Sequence, residues 1–253
     1  MNLHRLHNTL KTGESRQNRD DFYFKLNDHT VINTIPAVHI LHGQMSQKIM
    51  DDVYTYMDSV NDNSADSSLI ANISGDQSYM DTGNPLLVAY RDQLMDSCMD
   101  YIKLHHVSHP GRTTQYGLQQ GYDMSNKKLT VTGSWSVKMT PDGDFNPLHH
   151  HETVSRSGLA TICYVKVPSS IQESAKKGLK DGCLEFSWNK QIGPEDLFYC
   201  RHDTSIVPYV GDYYIFPKWL NHIAYPYRSK ALHTPLETRW SIQTNFDIED
   251  INA

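Results

Sequence analysis

The sequence predicts a mostly β protein, with a double-stranded β-helix (jelly roll) core and N-terminal supporting α-helices. Apolar residues recur at helical spacing only in about the first 110 residues, whereas from about residue 129 the chain consists of short β-type runs separated by turn residues. Strands spaced this regularly, with no helical pattern between them, are typical of a double-sheet jelly roll. We therefore expect one domain over residues 1–253, with a helical lead at about 36–110 and the jelly-roll core at about 129–247.

Two helices are expected in the first third of the chain. Ser46 carries the kind of side chain that caps a helix N-terminus, and apolar residues follow it at helical spacing as far as the polar run at 61–64. Proline is favoured in the first turn of a helix, so the second helix is expected to begin near Pro85. Its apolar stripe has six members, namely Leu87, Tyr90, Leu94, Cys98, Tyr101 and Ile102. Stripes of this kind are typical of helices that support a core.

Six runs in the second half of the chain are predicted to be strands. They are 129–139, 160–167, 182–188, 212–216, 222–225 and 239–246. Two longer excursions, 169–180 and 189–207, interrupt the series. Insertions between jelly-roll strands commonly form the rim of a pocket, so both excursions are expected there.

Composition and charge argue against several classes of partner. Lysine and arginine number 23 against 29 acidic residues, and no Lys/Arg-rich run is present. Bulk nucleic-acid binding is therefore not expected. No apolar stretch approaches the roughly 18 residues of a membrane span, and the polar N-terminus lacks the apolar core of a signal peptide. We expect a soluble, cytoplasmic protein with no membrane partner, and its four cysteines, which form no CxxC pair, suit reduced thiols.

The run Phe-Asn-Pro-Leu-His-His-His at 145–151 is a candidate metal-binding segment. On an extended strand, side chains at i and i+2 point to the same face, so His149 and His151 can converge on one metal while His150 points away. His222 lies in a later strand-like stretch and can supply a third imidazole from across a closed sheet. Two neighbouring histidines plus a distant one form a common metal signature.

Two sets of ligands fit this pattern. In the first, His149, His151 and His222 bind the metal through three neutral imidazoles; in the second, His150, Glu152 and His222 supply two imidazoles and a carboxylate. Two histidines and one carboxylate are the usual ligands of a ferrous oxygenase. Three histidines with one open position equally suit a hydrolytic zinc. The residues alone leave both sets open.

Arg239 and Ser241 are candidate anchors for an organic acid. They lie two positions apart on a predicted strand and therefore share a face. A guanidinium binds a carboxylate through two parallel hydrogen bonds, and a serine hydroxyl adds a third. A 2-oxo diacid requires this combination, since its keto-acid end chelates a metal and its distal carboxylate meets the arginine. Tyr164, if it points inward, can donate its hydroxyl to the same carboxylate.

Six blocks in fixed order resemble those of the 2-oxoglutarate and iron(II)-dependent oxygenases. The blocks are Gly133–Lys138, Asp144–His151, Cys163–Pro168, Gly182–Phe186, Gly211–Pro217 with His222, and Arg239–Ser241. More narrowly, they look like a branch with an Asn-Pro-x-His-x-His motif that is common in phage and marine bacteria. The resemblance covers roughly residues 129–247.

This resemblance implies residue roles and cofactors. The family's His-x-His positions fall on His149 and His151, its distal histidine on His222 and its co-substrate arginine on Arg239, with Ser241 and Tyr164 at co-substrate-contacting positions. Fe(II), 2-oxoglutarate and O2 are the implied cofactors, with ascorbate as a supporting reductant. Most members carry aspartate where this chain has His151, which keeps Glu152 as the alternative ligand.

The implied reaction is hydroxylation of a substrate C–H bond, with release of succinate and CO2. The substrate would be a small molecule or a protein, a homodimer is left open, and the location would be the host cytoplasm if the protein is phage-encoded. Two rival hypotheses are a cupin-like zinc hydrolase or isomerase, and a non-catalytic jelly-roll binding protein.

Overall fold

The computed structural model describes most of the predicted core and its helices. The described residues are 23–27, 30–33, 38–59, 77–108, 112–114, 117–119, 127–141, 143–151, 158–188, 203–229 and 238–251. They include three helices, which are α1 (Gln47–Ser59), α2 (Pro85–Ser108) and α3 (Ser169–Lys176). None of these described helices combines the length and the apolar character that a membrane span needs.

Strands make up most of the regular secondary structure of the described residues. In order they are β1 (Tyr23–Asn27), β2 (Thr30–Asn33), β3 (Leu41–Gln44), β4 (Gln77–Tyr79), β5 (Arg112–Thr114), β6 (Gly117–Gln119), β7 (Lys127–Met139), β8 (Asn146–His149), β9 (Gly158–Lys166), β10 (Leu184–Ser187), β11 (Asp203–Ile206), β12 (Asp212–Pro217), β13 (Asn221–Ala224) and β14 (Arg239–Asp250). Strands β1 and β2 pair with each other, as do β5 and β6. The other ten strands form the two sheets that carry the core.

Two antiparallel sheets face each other. The major sheet has the order β3-β12-β9-β14-β7-β4, and the minor sheet has the order β11-β10-β13-β8. Side chains from β9, β10 and β12 meet in one buried cluster between the sheets, which includes Tyr164, Leu184 and Phe216. Two antiparallel sheets packed in this way confirm the predicted jelly roll. The extent of a single domain over all 253 residues stays a prediction.

The outer face of the major sheet is covered by α1 and α2. The first helix begins as predicted, with the Ile49 amide donating to Ser46 Oγ at 3.4 Å. All six residues of the predicted α2 stripe are buried in the cluster between the helices and the sheet. On β14, Ile242 and Phe246 point into this cluster, so the alternate residues Ser241, Gln243 and Asn245 point toward the minor sheet. One strand thus serves both the core and the space between the sheets.

Strand β8 lies at the edge of the minor sheet and contains Pro147. Proline cannot donate a hydrogen bond to a neighbouring strand, so within sheets it is tolerated at an edge. On its other side β8 pairs with β13, in a register that places His149 opposite His222. This pairing brings the two distant parts of the histidine pattern together.

Candidate metal centre

His149, His151 and His222 form a cluster between the sheets. One ring nitrogen from each residue lies within 4.8 Å of the other two, and no other group of three or more His, Cys, Asp or Glu side chains in the described ranges is arranged to hold a metal ion. The ring centroids of His149 and His222 are 4.2 Å apart, and those of His151 and His222 are 5.0 Å apart. The three imidazoles can therefore hold one metal ion.

Local backbone carbonyls orient two of the rings. Nδ1 of His149 lies 2.6 Å from the Pro147 carbonyl oxygen, and Nδ1 of His222 lies 2.9 Å from that of Leu220. A carbonyl oxygen only accepts, so each Nδ1 carries the proton and donates it. The lone pair of each ring is then on Nε2, where a metal can use it.

A side chain from the facing sheet orients the third ring. Nδ1 of His151 lies 2.6 Å from Asn245 Oδ1 on β14. The His151 amide donates to the Lys218 carbonyl at 2.9 Å, which ties the chain two residues beyond β8 to the turn before β13. Trp135 packs beside the ring, with centroids 5.7 Å apart. Neighbouring groups thus hold both the ring and the backbone amide of His151.

Burial keeps the three imidazoles neutral. It is the largest cause that lowers the pKa of each ring, and neighbouring imidazoles lower it further. The pKa of His151 falls to about 4, even though the hydrogen bond to Asn245 opposes the shift. The pKa of His222, the most buried of the three, falls well below its usual value. Neutral imidazole is the form that binds a metal, so the cluster is ready for one at neutral pH.

The arrangement corresponds to the first of the two predicted ligand sets. His149, His151 and His222 are brought together, whereas the His150 side chain is exposed. Glu152, which the second set requires, lies outside the described residues. The period of two predicted the grouping of His149 with His151, although β8 ends at His149 and His151 lies two residues beyond it.

A pocket adjoins the histidines between the two sheets. Its empty volume, including the part open to solvent, is about 380 Å³. The lining consists of Val137, Met139, Asn146, His151, Thr161, Ile162, Leu184, Phe216, His222, Ala224, Arg239, Ser241 and Gln243. This described lining contains no carboxylate, and its one guanidinium belongs to Arg239. The pocket therefore suits an anion.

Arg239 is almost completely buried, with 1% of its surface exposed. Its Nη1 donates to the Gly182 carbonyl at 3.0 Å, and its guanidinium lies 5.2 Å from the centre of the Tyr164 ring. Arg239 Nε and the Tyr164 hydroxyl are both buried without a hydrogen-bond partner among the described residues. Buried donors are normally satisfied, so these two indicate a ligand with acceptor oxygens.

Tyr164 lies inside the barrel as predicted but does not line the pocket directly. It belongs to the buried cluster between the sheets, and its ring supports the guanidinium of Arg239. Burial raises its pKa to about 12, so the hydroxyl stays protonated and able to donate. A direct contact between this hydroxyl and a co-substrate stays a prediction.

Sequence reasoning missed three polar residues of the site. Gln243 lines the pocket and donates through Nε2 to Ser241 Oγ at 3.1 Å. Asn146 has a buried Oδ1 with no partner in the described part of the chain, and Asn245 contacts His151. Two of them continue the period of two that links Arg239 and Ser241 along β14. Extending that alternation four residues further would have found both.

A buried ion pair lies directly behind His151. Lys218 Nζ pairs with Asp247, and these residues are 3% and 6% exposed. A Cβ added to Gly158 would lie 2.8 Å from Lys218 Cδ and 2.8 Å from the Phe246 carbonyl oxygen. The space is therefore too small for a methyl group.

We expect Gly158→Ala to destabilise the protein by about 1–3 kcal/mol, the usual cost of overpacking a core. Urea unfolding would measure the loss. The matched control is Gly133→Ala, where the added Cβ would meet only Trp135 at 3.8 Å. Equal stability of the two variants would contradict the tight packing behind His151.

Gly182 accepts a hydrogen bond from Arg239 through its carbonyl. Its φ is +67°, and a Cβ there would lie 2.5 Å from the Ile171 side chain, which is fully buried. A substitution must therefore displace either the Ile171 side chain or the backbone that accepts the hydrogen bond of Arg239.

Gly182→Ala should lower the free energy of unfolding by about 1–3 kcal/mol more than backbone strain alone would. The control is Gly178→Ala, because Gly178 has a similar φ of +76° but nothing within 4 Å of an added Cβ. Thermal and urea unfolding of both variants would separate strain from the clash. If the Gly182→Ala variant were no less stable than the Gly178→Ala control, the predicted clash with Ile171 would be refuted.

Comparison with known proteins bears on the second half of the chain. Residues 133–245, slightly less than half of the sequence, match the family model described as "Putative 2OG-Fe(II) oxygenase". This range includes His149, His222 and Arg239. No curated protein matches the sequence.

Solved structures resemble the chain in fold at low identity. AviO1 from Streptomyces viridochromogenes Tue57 is 11% identical, with 83% of this chain and 89% of that chain covered and a TM-score of 0.50. A prolyl hydroxylase in complex with a hypoxia inducible factor peptide fragment, from Trichoplax adhaerens, is 13% identical, with coverage of 83% and 82% and a TM-score of 0.49. HygX from Streptomyces hygroscopicus, with nickel and 2-oxoglutarate bound, is 10% identical, with the same coverage and TM-score. The chain therefore has a jelly-roll fold, and its residues 133–245 are similar to 2-oxoglutarate and Fe(II) oxygenases.

Proposed function

We propose that this protein is a 2-oxoglutarate- and Fe(II)-dependent dioxygenase that hydroxylates a substrate C–H bond. His149, His151 and His222 would bind the iron, and Arg239 would bind the distal carboxylate of 2-oxoglutarate. The observation that carries the proposal is a cluster of three imidazoles, two of which line a pocket that is also lined by one buried guanidinium. The family similarity over 133–245 supports it.

The donor set fits the proposed metal. Imidazole nitrogen suits Fe(II) as well as zinc, and three ligands on one side leave positions open on the other. The chemistry that iron supplies when bound is the reaction of 2-oxoglutarate with O2, which gives succinate, CO2 and the hydroxylated substrate. Ascorbate would keep the metal in its ferrous form.

The fit to 2-oxoglutarate rests on the unpaired donors. Arg239 Nε and the Tyr164 hydroxyl are buried and have no partner among the described residues, and a carboxylate offers acceptor oxygens to both. Ser241, which is 1% exposed, lies two positions from Arg239 on the same strand face and lines the same pocket. We infer that these three side chains orient the distal end of the co-substrate.

The protein would also hold the metal ligands rigidly and limit the access of water to the metal. Carbonyl groups and Asn245 fix the tautomer of each imidazole, so every ring presents Nε2. Phe216 and Phe186 pack against His222, with ring centroids 5.0 and 6.2 Å away, and form an apolar wall behind the metal position. A protein contributes to metal-dependent oxidation by orienting the ligands in advance and by surrounding the metal with apolar side chains that exclude water.

The test is the production of succinate. Protein supplied with Fe(II), ascorbate, 2-oxoglutarate and air should form succinate slowly even without its substrate, and should form none under nitrogen. NMR would quantify succinate, and anaerobic calorimetry would measure 2-oxoglutarate binding to the Fe(II)-loaded protein. The absence of both succinate and binding would overturn the proposal.

A zinc hydrolase or isomerase is the second candidate, because three neutral histidines also form catalytic zinc sites. This alternative predicts activity that needs no oxygen and an Arg239→Ala variant that remains active. The two candidates therefore differ in their dependence on O2 and on Arg239.

A further inference from the structure

Strand β14 carries a row of inward polar side chains that reaches from the pocket to the histidines. The row consists of Arg239, Ser241, Gln243, Asn245 and Asp247. The first three line the pocket, the fourth contacts His151, and the fifth pairs with Lys218. The strand therefore holds both the proposed acid anchor and the surroundings of one metal ligand.

The three imidazoles are not supported in the same way. His149 and His222 each use the carbonyl of the residue two positions earlier, which no side-chain substitution removes. His151 follows the end of β8, and its ring depends on Asn245 from the facing sheet. Among the described residues, Asn245 is thus the one side chain that supports a ring nitrogen of the triad.

The direction of this hydrogen bond decides whether His151 can bind a metal. With Asn245 Oδ1 as the acceptor, the proton of the neutral ring is on Nδ1 and the lone pair is on Nε2. If the amide were reversed, its NH2 group would donate to Nδ1 and the ring proton would move to Nε2. A protonated Nε2 cannot coordinate a metal, so the Oδ1 contact is the orientation that a metal site requires.

The backbone around this contact is held by neighbouring groups. The His151 amide is fixed on the Lys218 carbonyl, and the Lys218 side chain pairs with Asp247, two positions beyond Asn245. Two consecutive inward residues of β14 therefore hold both the ring and the backbone of one ligand.

We propose that Asn245 is a positioning residue that fixes the Nδ1-H tautomer of His151, so that a third neutral imidazole completes the metal site. This inference rests on the proposed function, because it assigns a role toward the same metal. The role of Asn245 also explains how His151 can act as a metal ligand at a position where a carboxylate is usual. A carboxylate needs no tautomer, whereas an imidazole needs an acceptor behind it.

The test compares three variants in Co(II) binding, measured by calorimetry. Asn245→Leu removes the acceptor and should weaken Co(II) affinity about 10- to 100-fold, the usual cost of losing such a partner. Asn245→Asp keeps an acceptor and should retain the affinity. Thr244→Val is the matched control: Thr244 is the neighbouring buried residue, and its hydroxyl contacts Ser134, away from the histidines.

Nitrogen-15 NMR of the metal-free protein gives a second readout, which a purely structural role would not move. Wild-type His151 should carry its proton on Nδ1, and Asn245→Leu should shift it toward Nε2. An Nε2-H tautomer in the wild type, or wild-type Co(II) affinity in Asn245→Leu, would overturn the proposal. If Asn245→Leu does not fold, the wild-type tautomer and the Asn245→Asp affinity decide. No Co(II) binding by the wild type would instead overturn the metal site itself, and the tautomer would still test Asn245.

Discussion

Replacement of His222 by alanine is expected to abolish metal binding. His222 is 6% exposed and lies between the other two imidazoles, with ring centroids 4.2 Å from His149 and 5.0 Å from His151. Loss of an outer partner of a metal ligand costs about 10- to 100-fold in affinity. Loss of the ligand itself should therefore cost at least about 100-fold.

Calorimetry with Fe(II) under nitrogen would measure the affinity, and thermal unfolding would report it independently. A metal that binds only the folded state raises the melting temperature in proportion to the logarithm of its concentration over Kd. The wild type should show this rise and His222→Ala should not. The matched control is His42→Ala, because the His42 side chain is 55% exposed and lies on β3, outside the cluster.

Wild-type affinity in His222→Ala would contradict both ligand sets that the sequence allows, since His222 belongs to each. Comparison of His149→Ala with His150→Ala then separates the two sets. We expect His149→Ala to lose metal affinity and His150→Ala to retain it, because the His150 side chain is exposed and lies outside the cluster.

The sequence predicted the parts of the fold that have strong local patterns. The α2 stripe is buried in full, and a predicted strand coincides closely with each of β7, β9, β10, β12, β13 and β14. Strand β14 runs four residues further than predicted, to Asp250. Local patterns are informative there because these elements bury one or both of their faces in the core.

Elements that depend on distant partners were not predicted. Strands β3 and β4 are four and three residues long, and they form the two edges of the major sheet by pairing with β12 and β7. Helix α3 begins the excursion at 169–180 and buries only Ile171, so it shows no apolar stripe. Short edge strands and a short helix owe their structure to tertiary contacts, which local propensity does not reveal.

The site was predictable to the extent that it follows strand alternation. The pairing of Arg239 with Ser241 and of His149 with His151 needs only a period of two. The sequence could not reveal that Pro147 and Leu220 carbonyls orient two rings while Asn245 orients the third. These contacts depend on the register of β8 with β13 and on the packing of two sheets.

Replacement of Arg239 by alanine is expected to abolish 2-oxoglutarate binding while metal binding persists. Its guanidinium is held by the Gly182 carbonyl and the Tyr164 ring, so the donors that remain are already oriented toward a ligand. Removal of one partner of a buried charge pair costs about 2–5 kcal/mol, which is about 30- to 5,000-fold in Kd. Anaerobic calorimetry of the Fe(II)-loaded protein would measure the loss.

Two further variants serve as comparisons for Arg239→Ala. Arg239→Lys keeps the charge but loses the planar fork, so its affinity for 2-oxoglutarate should lie between those of the wild type and Arg239→Ala. Arg91→Ala removes a partly exposed guanidinium that pairs with Asp92 on α2, and it should leave binding unchanged. If Arg239→Ala bound 2-oxoglutarate as the wild type does, the pocket would not hold the co-substrate by its distal carboxylate. The dependence of activity on O2 would then have to separate the oxygenase from the zinc enzyme, because Arg239 would no longer distinguish them.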